Sequence, residues 1–238
     1  MSNKKIVVIG AGLSGLANAA MLGKNGFDVT VVDKHPMPGG VARCIKDRGF
    51  HFDMGPSWYL MPEIFDTYFA YFGKRPSDYY NLIELDPSYK IFFENDRTVS
   101  ISKDMETNKK LFDSLEENGG EKLLKYLDES KQKYDIAVNK VLYKNFFSIF
   151  DFLRTEILRY GLKLNMFNNL EKYTKKFLKD HRSRKIVEFN TVFLGSSPYS
   201  VPALYSLMSY VDLQLGVYYP EGGIFELPRA LLDRKSVV

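Results

Sequence analysis

Three glycines spaced as Gly10, Gly12 and Gly15, with Asp33 following about 20 residues on, form a set whose chemistry is the holding of a dinucleotide. Gly10 permits the tight turn, Gly12 lets the backbone approach a pyrophosphate, and Gly15 lets a helix pack closely on a strand. The amides around Ala11, Leu13 and Ser14 would then face the phosphates from a helix N-terminus. Asp33, followed by Lys34, would accept hydrogen bonds from a ribose hydroxyl, and its charge would repel a 2'-phosphate, which disfavours NADP.

A glycine pattern means little without its frame, and here the frame is complete. Ile6–Ile9 reads as a strand, the apolar stretch after Gly15 as a helix ending near Gly26, and Val29–Val32 as a second strand. Lys4 and Lys5 before a run of uncharged residues also suit a signal peptide, but three glycines and Asn18 interrupt that run and no small-residue cleavage site follows.

The 238 residues suffice for one large or two ordinary domains. A formal charge of +4 from 33 basic and 29 acidic residues, with lysines scattered over helical faces, points to no nucleic-acid partner. Cys44 is the single cysteine, which excludes an internal disulfide and suits a reducing, cytoplasmic compartment. His35, His51 and His181 lack metal-ligand spacing, so no metal is expected. Aromatic residues reach 15%, with 18 Phe and 16 Tyr, more than strand alternation needs. The uncharged stretch Phe189 to Val211 is long enough to cross a bilayer, but Gly195, Ser196, Ser197, Pro198 and Pro202 break it.

Further along, Pro36 to Gly40 reads as a turn, and Ala42 to Asp53 as two short strands about Lys46-Asp-Arg-Gly49. Pro62 to Phe72 has helical periodicity with Pro at its start and Gly73 at its end. Leu82 to Ser102 suggests three short strands. From Asp104, a candidate N-cap, the pattern is helical to about Leu178, with Gly119-Gly120 as a break. Helices are also expected over Ala203 to Leu215 and from Glu226 to about Leu232, separated by the strand and turn of Val217 to Gly223.

Val141 to Phe167 crowds aromatic and basic residues together. It suits either a buried bundle face or an amphipathic surface at a membrane interface.

Three blocks resemble the phytoene desaturase-like family of FAD-dependent oxidoreductases. They are Gly10 to Asp33, the Gly39-Gly40 loop with Gly49-Phe-His-Phe-Asp53-Met-Gly55-Pro56-Ser57, and Gly216-Val-Tyr-Tyr-Pro-Glu-Gly222-Gly223. The resemblance implies an α/β fold: a Rossmann-like FAD-binding domain with an inserted, largely helical α+β domain facing substrate and membrane. Its divisions would be 1–80, 81–215 and a return segment 216–238. It implies FAD held by Gly10, Ala11, Gly12, Leu13, Ser14, Gly15, Asp33, Lys34, Gly39, Gly40, Arg43, Gly55, Pro56 and Ser57. It further implies an apolar isoprenoid substrate, hydride transfer to flavin, and peripheral membrane association.

Because the flavin performs the redox step, no acid-base dyad is required and no catalytic side chain is singled out. His51, Asp53, Ser57 and Trp58 fall in the flavin neighbourhood, though a strand-end His or Asp more often satisfies backbone groups. In the family an arginine usually follows the paired glycines; here Val41 stands there and Arg43 is the nearest arginine. Family members are considerably longer, which implies that these residues form an N-terminal half, inactive alone. An isoprenoid escort protein of dissociation-inhibitor type and a flavin amine oxidase are the competing readings.

Overall fold

The computed structural model describes residues 4–94, 98–145, 147–148, 164 and 168–233. In chain order the elements begin β1 (Lys5–Ile9), α1 (Leu13–Lys24), β2 (Asp28–Val32), β3 (Cys44–Asp47), β4 (Phe50–Asp53), α2 (Pro62–Tyr71) and β5 (Leu82–Glu84). There follow β6 (Tyr89–Phe92), β7 (Thr98–Ile101), α3 (Met105–Leu115), α4 (Gly119–Ile136) and α5 (Leu170–Thr174). The last are α6 (His181–Glu188), α7 (Leu207–Gln214), β8 (Tyr218–Pro220) and α8 (Glu226–Leu232). The chain divides into two compact units, residues 1–85 with 217–238, and residues 86–216.

In the first unit β1 and β2 run parallel, with Ile6 opposite Val29 and Val8 opposite Val31. Parallel strands need a crossover, and α1 supplies it. Strand alternation leaves the other β1 positions outward, so Val7 and Ile9 are exposed. The β3–β4 hairpin is tighter than its sequence suggests: Asp47 pairs with Phe50, leaving a two-residue loop. Arg48 and Gly49 both take positive φ there, 48° and 86°, as such a loop demands.

The return segment completes this unit. β8 pairs antiparallel with β5, Leu82 opposite Pro220, so the first of the three expected strands belongs here and not with its neighbours. Ala42, Tyr59, Phe69, Tyr80, Ile224, Leu227 and Ala230 form the core.

The second unit holds the β6–β7 hairpin and α3 to α7. Asp104 caps α3, its carboxylate accepting from the amides of Glu106 and Thr107 at 3.3 and 3.0 Å. Gly119-Gly120 are not the break expected of them; they open α4, and the break is Glu116–Asn118. Their smallness serves contact instead. A Cβ on Gly119 would lie 2.0 Å from the Phe112 carbonyl oxygen, so α3 and α4 approach at backbone distance. The helix expected from Ala203 begins as a 3-10 turn, Ala203–Ser206, and continues as α7.

Ile101, Phe112, Leu123, Tyr126, Leu170, Tyr173, Leu178, Ile186 and Leu213 are among the residues of this second core. A polar cluster is buried beside it: Tyr89 Oη and Asn190 Nδ2 donate to Asp212 Oδ2 at 2.8 and 3.2 Å. Burial pushes the Asp212 carboxyl up to about 7. Most of Val141 to Phe167 lies outside the described residues, so the two readings of that stretch stand as they were. Among the described residues no helix is long and apolar enough to cross a membrane, and no cluster of His, Cys, Asp and Glu could hold a metal.

Candidate dinucleotide site

The end of β1 is held by β2 and by the glycine loop beyond it. Gly10 N donates to Val32 O at 2.7 Å, and Gly10 takes φ 106°, turning the chain sharply toward α1. Gly15 sits in the first turn of that helix, where a Cβ would lie 1.9 Å from the Gly10 carbonyl oxygen; only glycine permits the approach. Gly12 caps α1, whose first residues are Leu13, Ser14 and Gly15 and whose first turn carries no acidic side chain. That helix end is therefore electropositive and suited to phosphate.

The second glycine pair closes on the first. Gly39 N donates to Ala11 O at 2.7 Å, and a Cβ on Gly40 would stand 3.0 Å from Gly12 Cα. Arg43 Nε donates to Gly40 O at 2.8 Å, which places the arginine on the loop although Val41 takes the position next to the glycines. Gly55 lies under the Val41 carbonyl, where a Cβ would come within 2.4 Å.

Asp33 is engaged by backbone: Oδ1 accepts from His35 N at 2.8 Å and Oδ2 from Ala11 N at 2.6 Å. These amides, the His35 bond foremost, hold its carboxyl below the usual range. It remains exposed, with lone pairs left to accept further hydrogen bonds.

These groups border a cleft of about 670 Å³, lined by Ile9, Gly10, Val32, Asp33, Lys34, His35, Gly40, Val41, Arg43 and Met54. Of the residues expected from sequence, Gly10, Asp33, Lys34, Gly40 and Arg43 thus meet at one cleft, while Ala11, Gly12, Gly39 and Gly55 lie outside its lining and contact the lining residues or one another. Pro56 and Ser57 are exposed and are not part of that lining. Ile9, Val32, His35 and Met54 went unforeseen, although strand ends at Ile9 and Val32 mark the mouth of any such turn. The glycine cradle and the open cleft fit a dinucleotide.

The family described as an NAD(P)-binding Rossmann-like domain matches residues 8–74. Across nearly the whole chain the similarity is to enzymes of one chemistry. A carotenoid 3,4-desaturase of Haloarcula japonica is 38% identical over 98% of this chain and 47% of its own length. The chain is homologous to the carotenoid desaturases. A zeta-carotene-forming phytoene desaturase of Myxococcus xanthus is 32% identical over 96% of this chain and 44% of its own length. The chain therefore spans about half the length of the curated desaturases it matches.

Among solved structures, putrescine oxidase shares the fold at a TM-score of 0.57 and 16% identity, covering 97% of this chain and 49% of that one. A Rab GDI from Plasmodium falciparum does so at 0.52 and 12%, covering 97% and 56%. Likeness at that level extends to the fold alone, so neither favours the amine oxidase or the escort reading over the desaturase homology.

Proposed function

We propose that this chain is the cofactor-binding part of an FAD-dependent desaturase acting on a long, apolar, carotenoid-type isoprenoid. What carries the reading is that the desaturase homology runs through both units, the helical one as well as the glycine cradle. Flavin, when bound, supplies the acceptor for hydride removed from a saturated bond. The chain's own residues do the holding. The amides of α1 would hold the pyrophosphate and the Asp33 carboxylate would accept from a ribose hydroxyl, while Arg43 secures the loop carrying Gly40. We further propose that the protein works on the cytoplasmic side of a membrane, where such a hydrocarbon is dissolved, with Val141 to Phe167 among its contacts.

The test is the nature of the bound nucleotide. Purified chain should take up FAD, show flavin absorbance and release FAD unmodified on denaturation. Release of NAD without flavin absorbance overturns the assignment.

A further inference from the structure

Two oxygens in the second unit are buried and accept nothing from the described residues: Asp212 Oδ1 on α7, and Asn190 Oδ1 in the 3-10 turn Phe189–Leu194. Asp212 is 2% exposed and Asn190 5%, so bulk water does not serve them. The two side chains already touch, since Asn190 Nδ2 donates to Asp212 Oδ2 at 3.2 Å. Leaving both acceptors unserved is costly, and so is burying a carboxylate that no cation faces.

The groups around Asp212 supply no such cation among the described residues. Tyr89 from β6 and Tyr126 from α4 are phenols pushed up by burial. Glu188, closing α6, accepts from Thr174 Oγ1 and has its own carboxyl pushed up by burial. One proton answers both orphaned oxygens. A carboxylic acid presents a donor and an acceptor side by side, and a primary carboxamide presents their complement. With the hydrogen on Oδ1, Asp212 donates to Asn190 Oδ1 while its Oδ2 goes on accepting from Asn190 Nδ2 and from Tyr89 Oη.

Through this side chain α7 holds both β6 and the turn. Tyr89 also stacks on Phe189, ring centroids 5.3 Å apart, so the start of the turn is fixed from two sides. Its far end, Val192 to Leu194, is exposed by 54%, 51% and 45% and adds little hold. α7 is tied to α6 separately, where Ser209 Oγ donates to Val187 O at 2.7 Å.

We propose that Asp212 and Asn190 form a carboxylic acid–carboxamide pair joined by two hydrogen bonds, and that loss of its proton to solvent frees the turn Phe189–Leu194 from α7. The pair is a proton-operated clasp, closed in acid and open in alkali.

Infrared difference spectra of the chain, with isotope-labelled aspartate to set Asp212 apart from Glu188, test the pair. They should show a protonated aspartate carboxyl at mildly acidic pH, where an ordinary aspartate is ionised. The band should vanish as pH is raised and be missing from Asp212→Asn. Amide hydrogen exchange, corrected for its intrinsic rate, reads the turn. Peptides covering 189–196 should lose protection by up to about tenfold per pH unit above the pH at which the band is lost, and peptides of α3 should not. The carboxamide of Asp212→Asn keeps both hydrogen bonds without a titrating group, so the turn of that variant should stay protected throughout. Tyr89→Phe removes a donor to the anion and should move both transitions to higher pH. Spectra and exchange of the parent decide the matter even where Asp212→Asn does not fold. The inference is overturned by aspartates that are all ionised at mildly acidic pH, the result expected if a water bridges the two oxygens. It is overturned equally by protection of 189–196 that does not follow pH, or by a turn in Asp212→Asn that opens with pH as the parent's does.

Discussion

Tyr219 Oη donates to Asp53 Oδ2 at 2.8 Å, joining two residues 166 apart in the chain. The other oxygen of Asp53 accepts from Ile224 N at 3.2 Å. One carboxylate at the end of β4 therefore fastens both the β8 strand and the turn after it. Of the two roles weighed for Asp53 from sequence, these bonds are those of the structural one. The contact also marks the phenol: burial foremost, then the Asp53 bond, pushes Tyr219 up to about 12.

Asp53→Ala should lower unfolding free energy by about 1–3 kcal/mol, since it leaves two donors without their acceptor. Tyr219→Phe should cost less, about 1 kcal/mol. Urea unfolding of both single variants and the double variant measures this, and strictly additive effects would show that the pair is not coupled.

Asp33→Ala should reduce FAD affinity at least about tenfold, because a charged acceptor for ribose is lost. The same change frees Ala11 N, so hydrogen exchange at that amide should quicken in the apo protein. An unaltered titration with FAD would remove Asp33 from the site.

Gly119→Ala should destabilise the second unit by about 1–3 kcal/mol, the range for overpacking, because its Cβ would meet the backbone of α3. Ala is otherwise the better helix former, so propensity alone predicts the opposite sign. Thermal unfolding distinguishes the two.

Asp212 gives the stability a pH dependence of definite sign. The folded state keeps its proton up to about 7, while the unfolded chain releases it near 3.8. Its contribution is therefore complete below the unfolded value and is lost as pH rises through about 7. Asp212→Asn does not titrate. Its stability relative to the parent should rise by up to about 1.4 kcal/mol per pH unit between those values and level off above them. Parallel curves in urea melts across the series would contradict this.

The first unit was largely legible because its signals are local. Gly10 to Asp33 states strand, turn, helix and strand in order, and a glycine that must be small is visible as a glycine. Val7 and Ile9 were not, since apolar residues in a strand say nothing about which face is covered. Leu82–Glu84 was readable as a strand, but its partner lies more than a hundred residues away, and no periodicity reports a partner. In the second unit Gly119-Gly120 misled because glycine serves close approach as readily as it serves interruption. The exposed run Val192–Leu194 was concealed for a similar reason: within an uncharged stretch, buried and exposed apolar residues look alike.

Leu85 N donates to Val217 O at 2.9 Å, one rung beyond the pairing of Glu84 with Tyr218, so the chain leaves the first unit and re-enters it at adjacent points. During synthesis this imposes an order of events. A ribosome delivers β5 long before β8, and the first unit must wait with Tyr59 and Tyr80 uncovered while everything between them is made. The second unit, which needs nothing from outside residues 86–216 for its core, can fold in that interval. By drawing its two ends together it would shorten the search that brings β8 to β5. Variants that weaken the second core, Gly119→Ala among them, should on this account also lower the yield of a correctly closed first unit.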